Sequence, residues 1–171
     1  GERRQDSVRA GLLALPVGLP VVVVHDGARP LATADLFARC AHAALVAGAA
    51  VAAVPVADTL KRVVDGVVAG TVDRAGLWAA QTPQAFRADV RDRLLPELAG
   101  PATVTDEAAL GERLGLPVAI VPGSPANLKV THPEDVAVAE ALLAGSRGVE
   151  ESRSRGVGEG EKGEEGGGGG S

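Results

Sequence analysis

One stretch decides the fold: Val21-Val22-Val23-Val24-His25-Asp26-Gly27-Ala28-Arg29-Pro30, in which an apolar run passes directly into a polar segment. A continuous β-branched run is typical of a strand that is buried on both faces. The segment after it must lie at the carboxyl end of that strand, where open α/β sheets bind their ligands. Gly27 would let a ligand approach the backbone closely. Asp26 could hold a metal or a hydroxyl group and Arg29 a phosphate; the plainer alternative is a local ion pair that closes a turn.

The flanking sequence alternates helical and extended patterns, which predicts an α/β layer fold with a mainly parallel sheet. Ser7 is predicted to cap the first helix, and Gly48 to end an Ala-rich crossover helix. The patterns predict helices over residues 8–15, 35–47, 88–98, 106–114 and 133–143, strands over 21–25, 50–56 and 118–121, and a short edge strand over 128–130.

A hairpin signal interrupts this alternation. Asp65-Gly66 stands between the β-branched pairs Val63-Val64 and Val67-Val68, and an Asp-Gly pair in such a setting favours a tight β-turn. An isolated hairpin has little to bury by itself. We therefore expect it to need a partner surface, such as another subunit.

Composition excludes several classes of function. The 171 residues carry a net charge of −5, with 46% hydrophobic residues but only 2% aromatic ones. Without a basic stripe or aromatic platforms, a nucleic-acid partner is not expected. No apolar run approaches the roughly 20 residues that span a bilayer, so no membrane partner is expected either. The single Cys40 provides no disulfide framework, which fits a reducing cytoplasm.

The two ends of the chain differ from its body. The sequence contains no Met and begins at Gly1 directly before a charged loop, so we expect it to start inside a longer protein. From residue 145 onward, Gly and charged residues predominate and few apolar side chains remain. Such a segment cannot offset its chain entropy by burial. We expect one domain over residues 1–144 and a disordered Gly/Glu-rich tail or linker over 145–171.

Other polar segments are ambiguous when each is read by itself. The segment Gly1 to Val8 could bind a heterocycle or a phosphate, or simply begin a helix. Arg74 could deliver its guanidinium to a neighbouring subunit, or be an ordinary surface residue. The same choice between ligand binding and a local structural role applies to Asp58-Thr59, Gln81-Thr82-Pro83-Gln84, Thr105-Asp106-Glu107 and Lys129.

Taken together, these segments resemble one family. They are similar in order and spacing to the cytidylyltransferases of the non-mevalonate isoprenoid pathway, which join CTP to 2-C-methyl-D-erythritol 4-phosphate. The resemblance runs from Gly1 to about Leu143. The segments that carry it are Asp6-Ser7-Val8, His25-Asp26-Gly27-Ala28-Arg29-Pro30, Asp58-Thr59-Leu60-Lys61, Thr71-Val72-Asp73-Arg74, Gln81-Thr82-Pro83-Gln84, Thr105-Asp106-Glu107-Ala108 and Asn127-Leu128-Lys129-Val130.

The resemblance implies a Rossmann-like α/β nucleotidyltransferase domain that forms a homodimer through a protruding β-arm, here at about residues 59–78. It assigns Gly1, Ser7, Asp26 and Gly27 to the cytidine pocket. It assigns Arg29, Thr59, Thr82 and Thr105 to the sugar phosphate, and Arg74 and Lys129 to positioning the attacking phosphate. Thr59 and Arg74 would reach the site from the partner subunit.

The implied chemistry is attack of the substrate phosphate on the α-phosphorus of CTP, in the cytoplasm, with Mg²⁺ held mainly through the CTP phosphates. The family opens with a strand and a Gly-rich, Arg-containing loop followed by a Lys, none of which precedes Gly1. A chain without that segment is expected to show feeble turnover at most. Two alternatives are a ribitol-5-phosphate cytidylyltransferase and a catalytically impaired nucleotide-binding fragment. In some relatives a linker like residues 145–171 joins this domain to the cyclodiphosphate synthase.

Overall fold

The computed structural model describes residues 3–100 and 106–156, with side chains described as far as residue 145. It divides into two units, Gly1–Lys129 and Val130–Ser171. In chain order the elements are α1 (Arg4–Ala14), β1 (Val21–Val24), α2 (Ala34–Ala47), β2 (Ala49–Pro55), β3 (Leu60–Val64), β4 (Val67–Val72), β5 (Trp78–Arg87), α3 (Ala88–Ala99), α4 (Glu107–Arg113), β6 (Val118–Pro122) and α5 (Pro133–Gly156).

The first unit is built on a four-stranded sheet with the order β1-β5-β2-β6. β1, β2 and β6 run in the same direction, and β5 runs against them. The predicted mainly parallel α/β sheet is therefore confirmed in three of its four strands. The prediction missed β5, because its centre, Gln81-Thr82-Pro83-Gln84, reads as a polar loop. These four residues are buried between two neighbouring strands, and their side chains have tertiary partners that a local pattern does not reveal.

Helices cover both faces of the sheet. On one face, α2 packs Leu36, Cys40 and Ala44 against small residues of β2 and β5. On the other face, α1, α3 and α4 enclose Phe86 of β5, which is 1% exposed. The three-layer arrangement explains the Ala- and Val-rich composition, because short side chains allow helices to approach a sheet closely.

The first helix begins earlier than its pattern predicted. α1 starts at Arg4, so Ser7 lies inside it and is not its cap. The backbone N–H of Arg3 donates to Oδ2 of Asp6 at 3.0 Å, which fixes the start of the helix. The negative charge of Asp6 in the first turn also interacts favourably with the positive end of the helix dipole. The prediction of a Ser7 cap was therefore wrong by one turn.

β3 and β4 form the expected hairpin as a separate two-stranded sheet. Val64 pairs with Val67, and the two turn residues have positive φ, 48° at Asp65 and 78° at Gly66. This is the geometry that an Asp-Gly pair tolerates best. Among the residues that the structure describes, the hairpin leaves its apolar side chains in solvent; Val67 is 69% exposed.

The second unit contains α5. Oδ2 of Asp135 accepts hydrogen bonds from the backbone N–H groups of Thr131 and His132, each at 2.8 Å. These bonds hold the pKa of Asp135 below its ordinary value. The helix continues to Gly156, twelve residues past the boundary predicted for the disordered tail; residues 157–171 lie outside the described part. Residues 128–130 form no strand, so the predicted edge strand was also wrong.

Candidate active site

A small polar cavity of about 180 Å³ opens beyond the carboxyl end of β1. It is smaller than an ordinary small-molecule site, so it can hold one group of a ligand, such as a phosphate or part of a sugar. We call it the cationic pocket, and its lining residues are Arg4, Asp26, Arg29, Ala80, Gln81, Thr82, Gln84, Asp106 and Lys129. Four of the residues predicted to form the site, Asp26, Arg29, Thr82 and Lys129, therefore meet in one place.

Asp26 is the electrostatic centre of this pocket. Its carboxylate lies 3.1 Å from Nζ of Lys129, 3.2 Å from Nη2 of Arg4 and 4.0 Å from Nε of Arg29. Burial acts to raise the pKa of Asp26. The hydrogen bonds from Lys129 and Arg4, together with their charges, outweigh it and hold that pKa below its ordinary value. The pocket therefore presents three cations around one ionised acid.

Arg29 has both a fixed contact and an available donor. Its Nη1 donates to the backbone oxygen of Asn127 at 2.7 Å. Its Nε is buried and has no hydrogen-bond partner among the residues described. Burial lowers the pKa of Arg29, an effect that the charge of Asp26 opposes. A buried N–H without a partner is costly, and an anionic oxygen entering the pocket would satisfy it.

Arg4 joins the pocket to a buried acid behind it. Its Nη1 donates to Oε1 of Glu107 at 2.5 Å, while Nη2 reaches Asp26. Burial disfavours the charged form of Arg4, but its hydrogen bonds and the charges of both acids raise its pKa overall. Arg4 lies in the segment from Gly1 to Val8, which was considered for ligand binding, but no role was predicted for Arg4 itself.

Thr82 and His25 fix the segment that follows β1. The backbone N–H of Asp26 donates to Oγ1 of Thr82 at 3.0 Å, and the same hydroxyl lies 3.0 Å from Nδ1 of His25. Nε2 of His25 lies 3.1 Å from the backbone oxygen of Arg29, and it must be the donor there because a carbonyl only accepts. The Thr82 hydroxyl thus positions Asp26, in addition to the substrate contact predicted for it.

Asn127 holds the segment that carries Lys129. Its Nδ2 donates to Oε1 of Gln81 at 3.1 Å and to the backbone oxygen of Thr82 at 2.8 Å. Gly123 permits this packing, because a Cβ at that position would lie 2.4 Å from Oε1 of Gln81. The segment is therefore fastened to β5 before it delivers Lys129 to the pocket.

Gln84 lines the pocket and bonds to the start of α4; we call Gln84, Asp106 and the backbone of Ala108 the pocket floor. Its Oε1 accepts from the backbone N–H of Ala108 at 2.8 Å, and its Nε2 donates to Oδ2 of Asp106 at 3.1 Å. Oδ1 of Asp106 accepts from the N–H of Ala109 at 2.9 Å, the bond that an N-cap residue makes. These two N–H groups of the first turn are bonded within the protein, so anion binding in the pocket falls to the side-chain cations.

Ser7 lines a second cavity, of about 350 Å³, between α1 and β1. The other lining residues are Val8, Gly11, Leu12, Leu15, Val23, Val24 and His25. His25 lines this cavity, and Asp26, the next residue in the chain, lines the cationic pocket. The two cavities therefore adjoin the same segment. Gly27 is exposed in the turn that follows Asp26.

The remaining predicted site residues lie elsewhere. Thr59 and Arg74 are exposed at the base of the hairpin and do not line the pocket of their own chain. Gly1 and Thr105 lie outside the residues that the structure describes. No individual role in the pocket was predicted for Arg4, Gln84 or Asp106. All three stand inside or beside the motifs that carry the resemblance, which was the available signal.

Within the described part of the chain, no group of three or more His, Cys, Asp or Glu side chains could hold a metal ion. Burial raises the pKa of the Cys40 thiol to about 11, and its Sγ lies against the backbone oxygen of Pro83 at 3.6 Å. A thiol in that state is a poor nucleophile. None of the helices in the described residues is long and apolar enough to cross a membrane.

A three-layer α/β unit with a cationic pocket at a strand's carboxyl end is typical of the Rossmann-like class, whose members bind their ligands at that edge of the sheet. The sequence model of the 2-C-methyl-D-erythritol 4-phosphate cytidylyltransferase (IspD) family matches residues 1–145. The chain belongs to this family.

Individual relatives agree with this assignment. The 2-C-methyl-D-erythritol 4-phosphate cytidylyltransferase of Prochlorococcus marinus (strain MIT 9313) is 52% identical over 146 residues, covering 84% of this chain and 65% of that protein. The bifunctional enzyme IspD/IspF of Desulfotalea psychrophila is 51% identical over 143 residues, covering 84% of this chain and 37% of that protein. The chain therefore spans less than two thirds of the length of either relative.

Solved structures show the same fold. The crystal structure of the 2-C-methyl-D-erythritol 4-phosphate cytidylyltransferase from Thermus thermophilus has a TM-score of 0.75 at 39% identity, covering 84% of this chain and 71% of that one. The bifunctional IspDF from Campylobacter jejuni has a TM-score of 0.67 at 26% identity, covering 80% and 34%. The predicted Rossmann-like cytidylyltransferase fold is thereby confirmed.

Proposed function

We propose that this chain takes part in transferring CMP from CTP to 2-C-methyl-D-erythritol 4-phosphate, giving 4-diphosphocytidyl-2-C-methyl-D-erythritol and pyrophosphate. The observation that carries the proposal is the meeting of Arg29, Lys129 and Thr82 around Asp26 in one pocket, within residues matched by this family. The product is an intermediate for isoprenoid precursors, and we place the reaction in the cytoplasm.

The cationic pocket is assigned to the sugar phosphate. Arg29 offers a buried Nε, and Lys129 offers an ammonium on a flexible stem, so the two cations can share one phosphate. Thr82 and Thr105 are proposed to contact the sugar. Asp26 and Gly27, with Ser7 and Gly1, are proposed to bind the cytidine of CTP on the adjoining side.

The reaction needs no covalent intermediate on the protein. An oxygen of the substrate phosphate forms a bond to the α-phosphorus of CTP, and the bond between the α-phosphorus and the bridging oxygen breaks, releasing pyrophosphate. Two anions must be held together in line, so catalysis rests on positioning and on fixed cations. Lys129, and Arg74 from a second copy, are proposed to orient the attacking phosphate.

Mg²⁺ is proposed to accompany CTP. The two carboxylates of the pocket are already engaged, Asp26 with cations and Asp106 with the start of α4. The described residues therefore do not make a magnesium site of their own, and the nucleotide phosphates would supply most of the ligands. The ion would neutralise phosphate charge.

The hairpin is proposed to form the homodimer. Its exposed Val63, Val64, Val67 and Val68 place an apolar pair on each face of the hairpin, and exposed apolar patches often mark an interface. In such a dimer, Thr59 and Arg74 of each copy would complete the site of the other.

Turnover tests the proposal directly. Pyrophosphate release from CTP is measured with methylerythritol phosphate and with ribitol 5-phosphate. Two proteins are compared: this chain alone, and a chimera in which this chain is joined to the part of the Prochlorococcus relative that it does not cover. We expect turnover with methylerythritol phosphate in the extended version. Lys129→Gln should lower kcat/KM by about 100-fold, whereas Arg9→Gln, an exposed charge on α1, should change it less than about twofold. Preference for ribitol 5-phosphate would overturn the substrate assignment.

A further inference from the structure

Arg4 bridges two carboxylates at the edge of the cationic pocket. It donates to Glu107 through Nη1 at 2.5 Å and to Asp26 through Nη2 at 3.2 Å. A guanidinium presents several N–H groups in fixed directions, so one Arg can hold both acids at once. The family resemblance gives a role to neither Arg4 nor Glu107.

The two ion pairs differ in how easily they exchange. The Glu107 side chain is 1% exposed, and its Oε2 has no hydrogen-bond partner among the described residues. Separating a buried carboxylate from its cation is strongly unfavourable, so Arg4 stays. The two cations that contact Asp26 are similarly exposed, Lys129 at 45% and Arg4 at 36%, and exposed ion pairs are weak. Arg4 differs because its second bond holds it to the buried Glu107.

We propose that Arg4, held by Glu107, is the fixed counter-ion of Asp26, so that Lys129 can move from Asp26 to a ligand phosphate without leaving that carboxylate unpaired. The second half of this inference rests on the proposed function, in which Lys129 contacts the substrate phosphate. Without Arg4, only the more distant Arg29, whose Nε lies 4.0 Å away, would face Asp26 once Lys129 had moved. An arriving phosphate would then meet a carboxylate that is poorly compensated, and like charges in a partly buried pocket repel. Arg4 and Glu107 are thus positioning residues.

A purely structural clamp between α1 and α4 makes different predictions. If the pair were only a clamp, substituting either Arg4 or Glu107 would lower the free energy of unfolding, and neither substitution would shift the pKa of Asp26 in its own direction. A counter-ion chain instead requires opposite effects on Asp26. Removing the positive charge of Arg4 should raise the pKa of Asp26, whereas removing the negative charge of Glu107 should lower it further.

The first measurement is a carboxyl NMR titration of Asp26 in the full chain. We expect a higher pKa in Arg4→Gln, a lower one in Glu107→Gln and no change in Arg9→Gln, which removes the same charge from an exposed position on the same helix. If Arg4→Gln does not fold, Glu107→Gln still gives the sign, and Arg4→Lys should keep the pKa low. Equal pKa values in Arg4→Gln and Arg9→Gln would overturn the inference.

The second measurement is binding of inorganic phosphate, followed by the side-chain NMR signals of Lys129. Arg4→Gln should weaken binding about tenfold. In the Asp26→Asn background the same substitution should change binding by less than about threefold, because no carboxylate then needs a counter-ion. An equal loss in both backgrounds would mean that Arg4 acts on phosphate directly, against the inference.

The two measurements separate failure of this inference from failure of the proposed function. If the chain binds neither inorganic phosphate nor methylerythritol phosphate, the proposed function loses its phosphate site and the exchange of Lys129 is refuted. The titration of Asp26 would still decide whether Arg4 is its counter-ion. A normal phosphate affinity in Arg4→Gln would refute the inference and leave the proposed function standing.

Discussion

In the floor of the cationic pocket, buried polar side chains bond to one another, whereas the neighbouring β3–β4 hairpin leaves apolar side chains in solvent. Gln84 is 1% exposed and bonds to Asp106 and to the backbone of Ala108. Val67 of the hairpin is 69% exposed. The polar groups of the pocket floor find their partners within this chain, whereas the apolar side chains of the hairpin are left uncovered by the described residues.

The largest expected effect comes from removing a polar side chain from the pocket floor. Gln84→Ala leaves an N–H of α4 and an oxygen of Asp106 without their partner and opens a small cavity, so the free energy of unfolding should fall by about 3 kcal/mol. Urea denaturation measures it. Lys61→Ala, which removes an exposed hydrogen bond of the hairpin, should cost less than about 0.5 kcal/mol. Similar losses in the two variants would remove the contrast between the regions.

The second largest effect should be a loss of stability at low pH, caused by protonation of Asp26. The pKa of Asp26 is held low by Lys129 and Arg4, so its contribution to stability is present above the unfolded-state pKa of about 3.9 and is lost as pH falls through the folded-state value. Wild type should exceed Asp26→Asn in stability at pH 7, and the difference should shrink below about pH 4. Urea unfolding at several pH values measures this; parallel curves for the two proteins would contradict it.

Substitutions in the hairpin should have the smallest effect on the folded monomer and a clear effect on assembly. Val63 and Val68 pair across the strands, so Val63→Lys with Val68→Glu keeps a favourable cross-strand pair while removing the apolar pair from one face of the hairpin. Monomer stability should change by less than about 0.5 kcal/mol, and the proposed dimer should dissociate in sedimentation velocity. Val46→Lys, on exposed α2 surface, is the control. A dimer that survives the hairpin double variant would move the interface elsewhere.

Local sequence signals predicted the elements whose causes are local. The run Val21–Val24 became β1, and the Asp-Gly turn became the hairpin. β5 was missed because its polar centre is stabilised by partners distant in the chain, including Asn127 and the start of α4. No periodicity encodes such bonds.

The site shows the same difference between residues that are close in the chain and residues that are distant in it. Asp26 and Arg29 could be placed together because they follow one strand within four residues. Their meeting with Lys129 was implied by the family resemblance, and the structure shows it. The bridge from Arg4 to Glu107 spans 103 residues, and composition or spacing could not predict it. The Ser7 cap failed because an acidic residue one position earlier fixes the helix start instead.

The base of the hairpin is fixed to the central sheet. Its two legs continue from β2 and lead into β5, whose ends pair at Pro55 and Trp78, and the N–H of Val56 donates to the oxygen of Leu77 at 3.0 Å. The hairpin is therefore anchored at its base to the two central strands of the sheet. One of these strands, β5, also carries Thr82 and Gln84, so the base of the hairpin and the cationic pocket share one strand.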